Sequence, residues 1–226
     1  MYDFITGPLL WLSFIVFFAG CVWRVVAYIR GLSWQLDRVA YGPHFGLGFR
    51  WALKSIFHWL MPLGSRNWRM RPIFNALFFF FHVGLIVTPL FLLGHAVFLH
   101  ERWGVNWPSI PGALADALTI VVLITGFFLW IRRIAFPQVR ILTDSQDILI
   151  LVIAVLPFLT GFVAGHCDPA SYRFWFILHI LSGELMLVAI PFTKLNHFVL
   201  FFMSRGQIGM DFGIKRGGER GRGIVW

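Results

Sequence analysis

The sequence predicts an all-α integral membrane protein with five transmembrane helices in one bundle. Three observations carry that expectation. Apolar residues make up 58% of the 226-residue chain and charged ones only 13%, a balance rare in soluble domains. Five runs, at 8–29, 74–99, 112–131, 147–165 and 174–202, each approach or exceed the roughly 20 residues that cross hydrocarbon. The basic residues collect in alternate connections between these runs.

The first run, Pro8 to Ile29, is interrupted only by Arg24 near its end, where a guanidinium can snorkel to the headgroups. No basic residue precedes it and no small-x-small cleavage site follows, so a retained helix is expected. In the connection 30–72, Phe49, Trp51, Leu53, Ile56, Phe57 and Leu60 mix with Arg50 and Lys54. That pattern predicts a short helix on the membrane surface, ended by Pro62 and Gly64. The second run holds Phe78 to Phe81, then His82, with Thr88 and Pro89 at its middle and Gly94 before His95. Gly94 lets a flat ring approach the backbone, and Gly84 is read the same way.

The third run begins near Pro111, with Asp116 suited to its helix dipole, and ends at Arg132 and Arg133. Asp144 or Asp147 caps the fourth, which Pro157 and Gly161 make irregular. The fifth carries His179, Gly183, Glu184, Pro191, Lys194 and His197. Residues 1–205 are thus read as one membrane domain. Residues 206–226, rich in glycine and arginine, are read as a tail held by a partner or mobile.

Arg30, Arg38, Arg50, Lys54, Arg66, Arg69 and Arg71 follow the first run, and Arg132, Arg133 and Arg140 the third. Arg205, Lys215, Arg216, Arg220 and Arg222 mark the tail, whereas the alternate connections hold only Arg102 and Arg173. This bias predicts a periplasmic N-terminus and a cytoplasmic C-terminus in a bacterial inner membrane. The net charge of +9 therefore belongs to topology, and nucleic acid is not an expected partner. Cys21 and Cys167 lack partners at ligand spacing, and no CxxCH, Walker loop or dinucleotide fingerprint occurs.

Histidines inside apolar spans need a reason to be there, and imidazole is a good axial ligand for haem iron. The second and fifth runs are antiparallel by parity. His82 and His197 then share a depth near the cytoplasm, and His95 and His179 share one nearer the outside. His179 and His197 are 18 residues apart, a whole number of turns. His82 and His95, 13 apart, are about 140° out of phase on an ideal helix. A distortion near Pro89 is expected to restore the phase. His100 is the alternative to His95, in phase with His82 but at the membrane rim.

Phe81-His82-Val83-Gly84, Gly94-His95, Leu178-His179 and Pro191 through His197 occur in an order that resembles the gamma-subunit family of respiratory nitrate reductase. Arg132-Arg133, Pro137 through Arg140 and Asp147 through Ile150 match that family's cytoplasmic loop. The resemblance covers nearly the whole chain from about residue 74. Within the family, the chain is similar to the cytochrome b (E-subunit) type of the sulfate-reducer high-molecular-weight cytochrome c complex.

The resemblance implies a haem-binding bundle with two haem b, one on His82 and His197 and one on His95 and His179. Arg24, Arg71, Arg132 and Arg133 become candidate propionate partners. It also implies neighbours: a cytoplasmic iron–sulfur subunit resembling heterodisulfide reductase, a quinone-reductase-like integral subunit, and periplasmic iron–sulfur and multihaem cytochrome c subunits. The lysine that the family associates with quinol is absent, and Arg102 and His100 stand in that region.

The function expected is an electron relay across the bilayer, as a subunit and not a stand-alone enzyme. Menaquinone is a further candidate ligand, with His100, Arg102 and Glu184 as one place for it. Glu184 is read as a proton site or as a structural hydrogen-bonding group. A quinone-reactive anchor of another oxidoreductase and a haem-free membrane subunit are the alternatives.

Overall fold

The computed structural model describes residues 2–32 and 42–215, the last by its backbone alone. Arg38, and Arg216, Arg220 and Arg222 of the tail, lie outside the described residues. The described chain is all-α. It opens with α1 (Tyr2–Phe4), a π-helical turn at Ile5–Leu9 that accommodates Pro8, and α2 (Leu10–Arg30). Next come α3 (Phe45–Leu60), α4 (Arg66–Met70), α5 (Pro72–Phe91) and α6 (Leu93–Trp103). They are followed by α7 (Gly112–Ala135), α8 (Pro137–Arg140), α9 (Ser145–His166) and α10 (Pro169–Phe192). A 3-10 turn at Lys194–Asn196 leads into α11 (His197–Lys215). Five stretches are long and apolar enough to cross a membrane: Tyr2–Arg30, α5, α7, α9 and α10.

Two expected spans end earlier than the apolar pattern suggests. The run 74–99 is broken at Leu92, which is extended (φ −65°, ψ 133°), so His95 stands on α6 and not on α5. The run 174–202 stops at Phe192. Thr193 is extended, its hydroxyl accepts from Leu195 N–H, and His197 opens a separate helix. Whole-turn spacing along one helix therefore does not relate His179 to His197.

The chain divides into two compact units, Met1–Phe14 with Ile73–Ala189 and Ile15–Pro72 with Ile190–Trp226. In the first, Phe81, Val122 and Phe158 form the core where α5, α7 and α9 meet. Glycine sets that spacing, because small residues let helix backbones approach where lipid supplies no hydrophobic drive. A Cβ on Gly84 would stand 2.5 Å from Val122, and one on Gly126 2.8 Å from Val155. Gly84 thus serves the contact with α7 and does not receive a flat ring. Asp144 and Asp147 make a reciprocal capping box at the start of α9, and Asp147 also pairs with Arg133 at 3.6 Å.

The second unit pairs α3 with α11. Gly48, Trp51, Ala52 and Ser55, spaced three and four apart, form the buried face of α3. A Cβ on Gly209 would meet Trp51 O at 2.5 Å, and one on Gly213 the Trp51 side chain at 2.3 Å. Residues 206–215, expected as part of a tail held by a partner or mobile, are therefore helical, and Gly209 and Gly213 among them are closely packed. Arg205 lies over the Trp59 ring at 4.0 Å, where burial pulls its guanidinium below the ordinary value. Leu63, in the left-handed region (φ 64°), turns the chain after α3.

Candidate functional site

The end of α5 positions the first site residue. The last four carbonyls of a helix have no partner within it, and in apolar surroundings each must find one. All four at this end do. Leu92 N–H donates to Thr88 O at 2.9 Å and Ile110 N–H to Phe91 O at 2.9 Å. Trp107 Nε1 donates to Leu90 O at 2.7 Å. The fourth donor is His95 Nδ1, 2.7 Å from Pro89 O. A carbonyl only accepts, so this contact puts the imidazole proton on Nδ1 and leaves Nε2 with its lone pair.

His179 is held in the same manner from another helix. Its Nδ1 lies 2.9 Å from Pro157 O of α9. The ring reaches that carbonyl because residue 161 is glycine: a Cβ there would stand 2.8 Å from His179 Nδ1. His82 and His197 follow suit, with Nδ1 2.8 Å from Phe78 O and 2.8 Å from Lys194 O. A metal-ligating histidine characteristically donates its other N–H to a carbonyl or carboxylate, which fixes the ring and its tautomer.

The structure brings His95 and His179 together. Their planes are 7° apart and their centroids 6.0 Å. A metal between two imidazole nitrogens, each at about 2 Å, separates the ring centroids by about 6 Å. Gly94 adjoins His95, and Gly183 lies one turn beyond His179; a Cβ at either would meet nothing within 4 Å. Bare backbone thus flanks both rings. Among the described residues no three His, Cys, Asp or Glu side chains converge, so the donor set here is two imidazoles. Two imidazole nitrogens of this kind could hold the iron of a haem, which would supply one-electron chemistry.

The remaining expected residues are placed as follows. His82 belongs to the first unit and His197 to the second, and each is described within its own. His82 ends a row on one face of α5: Arg132 lies over Phe74 at 4.1 Å, Phe74 neighbours Phe78 at 6.2 Å, and Phe78 neighbours His82 at 4.2 Å. Arg133 engages Asp147. Arg24 donates to Pro191 O, meeting a carbonyl at the end of α10. Arg71 caps α4 and is exposed. His100 is exposed in the last turn of α6. Glu184 is 4% exposed, and neither carboxyl oxygen has a hydrogen-bond partner among the described residues.

Pro157, Gly161 and Trp107 were not singled out as site residues from sequence. Pro157 and Gly161 read only as helix irregularities, although their four-residue interval does mark one face of α9.

No family model matches the chain, and no solved structure matches it. A relative from Nitratidesulfovibrio vulgaris strain Hildenborough, described only as "Protein", is 51% identical over 227 aligned positions, which span 100% of both chains.

Proposed function

The chain belongs to the same family as the Nitratidesulfovibrio vulgaris protein, and we propose that both are dihaem cytochrome b subunits of a membrane redox complex. The observation that carries this reading is the His95–His179 pair, parallel and separated by 6.0 Å. Pro89 and Pro157 carbonyls hold the two rings so that both Nε2 atoms are left as ligands. These residues hold the haem nearer the outside. A second haem, on His82 and His197, rests on the sequence pattern alone.

Bound haem supplies one-electron transfer at a potential set by its axial ligands and surroundings. The chain fixes ring orientation and keeps the surroundings apolar. In this reading electrons pass between a periplasmic multihaem cytochrome, or a menaquinone pool, and a cytoplasmic iron–sulfur subunit. The concentration of basic residues in alternate connections supports docking of that subunit on the cytoplasmic side.

Pyridine haemochrome analysis with protein quantitation tests the proposal. Two haem b per chain is the expected result. One haem, lost on replacing His82 and kept on replacing His95, removes the role given to the outer pair. A colourless protein after expression with adequate haem supply ends the reading altogether.

A further inference from the structure

Glu184 is the one acidic residue in the interior of the five spans; Asp3, Asp116 and Asp147 stand at span ends. It is five residues beyond His179, about 7.5 Å along an ideal helix and about 140° round it. Several other buried polar groups in the same unit are satisfied, although Thr88 Oγ1 also has no partner among the described residues. Thr160 and Ser182 hydroxyls lie 3.1 Å apart, Ser182 donates to His179 O, and Ser13 donates to Leu9 O. Glu184 has no such partner among the described residues.

The span interiors of the same unit carry few charged side chains. By sequence, α9 has no charged residue between Asp147 and His166, and α7 none between Asp116 and Arg132. Besides the aspartates at span ends and Glu184 itself, the titratable side chains of the five spans and α6 are Tyr2, Cys21, Arg24, Tyr28, Arg30, His82, His95, His100, Glu101, Arg102, Arg132, Arg133, His166, Tyr172, Arg173 and His179.

We propose that Glu184 is a redox-linked proton site. It binds one proton from the aqueous phase when the iron held by His95 and His179 gains one electron, and releases that proton when the electron leaves. This rests on the haem reading above. Ferric porphyrin iron with two neutral imidazoles carries one net positive charge, which balances the Glu184 carboxylate. The ferrous form carries none, so the carboxylate is left uncompensated unless it takes a proton. The electron comes from a quinol or a cytochrome donor and the proton from water. The reduced state is then a neutral acid and an uncharged iron–porphyrin core, and no other bond forms or breaks.

Spectroscopic redox titration of the full-length haem-loaded protein at a series of pH values tests the proposal. In the wild type, the potential of one haem is expected to fall as pH rises, by up to about 59 mV per tenfold change in proton activity, the one-electron constant. Glu184→Gln is expected to keep both haems and lose most of that dependence, and Glu184→Asp to keep part of it. Redox-difference infrared spectra of the wild type should show a protonated carboxyl band on reduction, absent in Glu184→Gln. This measurement stands even if the glutamine variant folds poorly. An unchanged pH dependence in Glu184→Gln, or a wild type with two haems and no carboxyl band, overturns the proposal. A wild type without haem overturns the cofactor reading instead, and is recognised from the haem count before any titration.

Discussion

A Cβ on residue 161 would stand 2.8 Å from His179 Nδ1 and 2.9 Å from its Cε1. The imidazole occupies the volume that any side chain at this position of α9 would claim. Gly161→Ala is therefore expected to displace the ring from Pro157 O and to lower bound haem from two per chain towards one. Gly165→Ala is the control, because a Cβ there meets nothing within 4 Å. Haem-to-protein ratios of the two variants decide the matter; equal ratios would remove the link between this glycine and the site.

Trp107 serves the end of α5 in two ways, through its Nε1–H to Leu90 O and through its ring, 6.2 Å from Phe91. Trp107→Phe keeps an aromatic ring and deletes the donor. Leaving that carbonyl without a donor costs up to about 1–3 kcal/mol where water does not reach it. Thermal unfolding in detergent should register that loss, and haem should dissociate more readily, since the same helix end holds His95. A variant as stable as the wild type would show that the carbonyl finds another donor.

Asp144 holds the first turn of α9 through Asp147 N–H at 2.8 Å. Asp144→Ala should lower stability by about 1 kcal/mol, whereas Asp144→Ser should restore most of it. Thermal unfolding of the pair, at one salt concentration, checks the difference. An equal loss in both would assign the effect to charge and not to capping.

The pairing of α3 and α11 depends on residues 209 and 213 having no side chain. Leucine at either forces the helices apart, and overpacking of this kind costs about 1–3 kcal/mol or more. Gly213→Leu should make the chain around residues 42–72 more susceptible to limited proteolysis. Gly206→Ala should not, since its Cβ would sit at an ordinary 3.9 Å from Ala52. Indistinguishable cleavage rates would contradict the packing described.

The five apolar spans could be read from sequence because bilayer thickness sets a length that composition alone reveals. So could the capping box at Asp144 and the end of α3, which are local. A distortion near Pro89 could also be read, but not that the helix breaks off at Leu92. Pro89 marks a weak point, but the residue at which α5 stops is decided by Trp107 and Ile110, which arrive from a later segment. The break at Thr193 leaves a local trace, a threonine just after Pro191, that hydropathy averaging hides.

The helical character of 206–215 was obscured by composition. Glycine and charge suggest a tail held by a partner or mobile, yet Gly206, Gly209 and Gly213 fall at helical spacing; Gly206 and Gly209 face Ala52 and Ser55, and Gly213 faces the Trp51 ring. Of the site, the residue types were evident and the pairing of His95 with His179 was expected. Their orientation was not, since it depends on the carbonyls of two prolines, Pro89 and Pro157.

The four capped carbonyls at the end of α5 assign the aim of His95 to the connection between α6 and α7. Trp107 and Ile110 act there as a clamp on a helix they do not belong to. Shortening or lengthening this surface connection can therefore swivel the His95 ring, and retune whatever it binds, with every residue on the ligand-bearing helices unchanged.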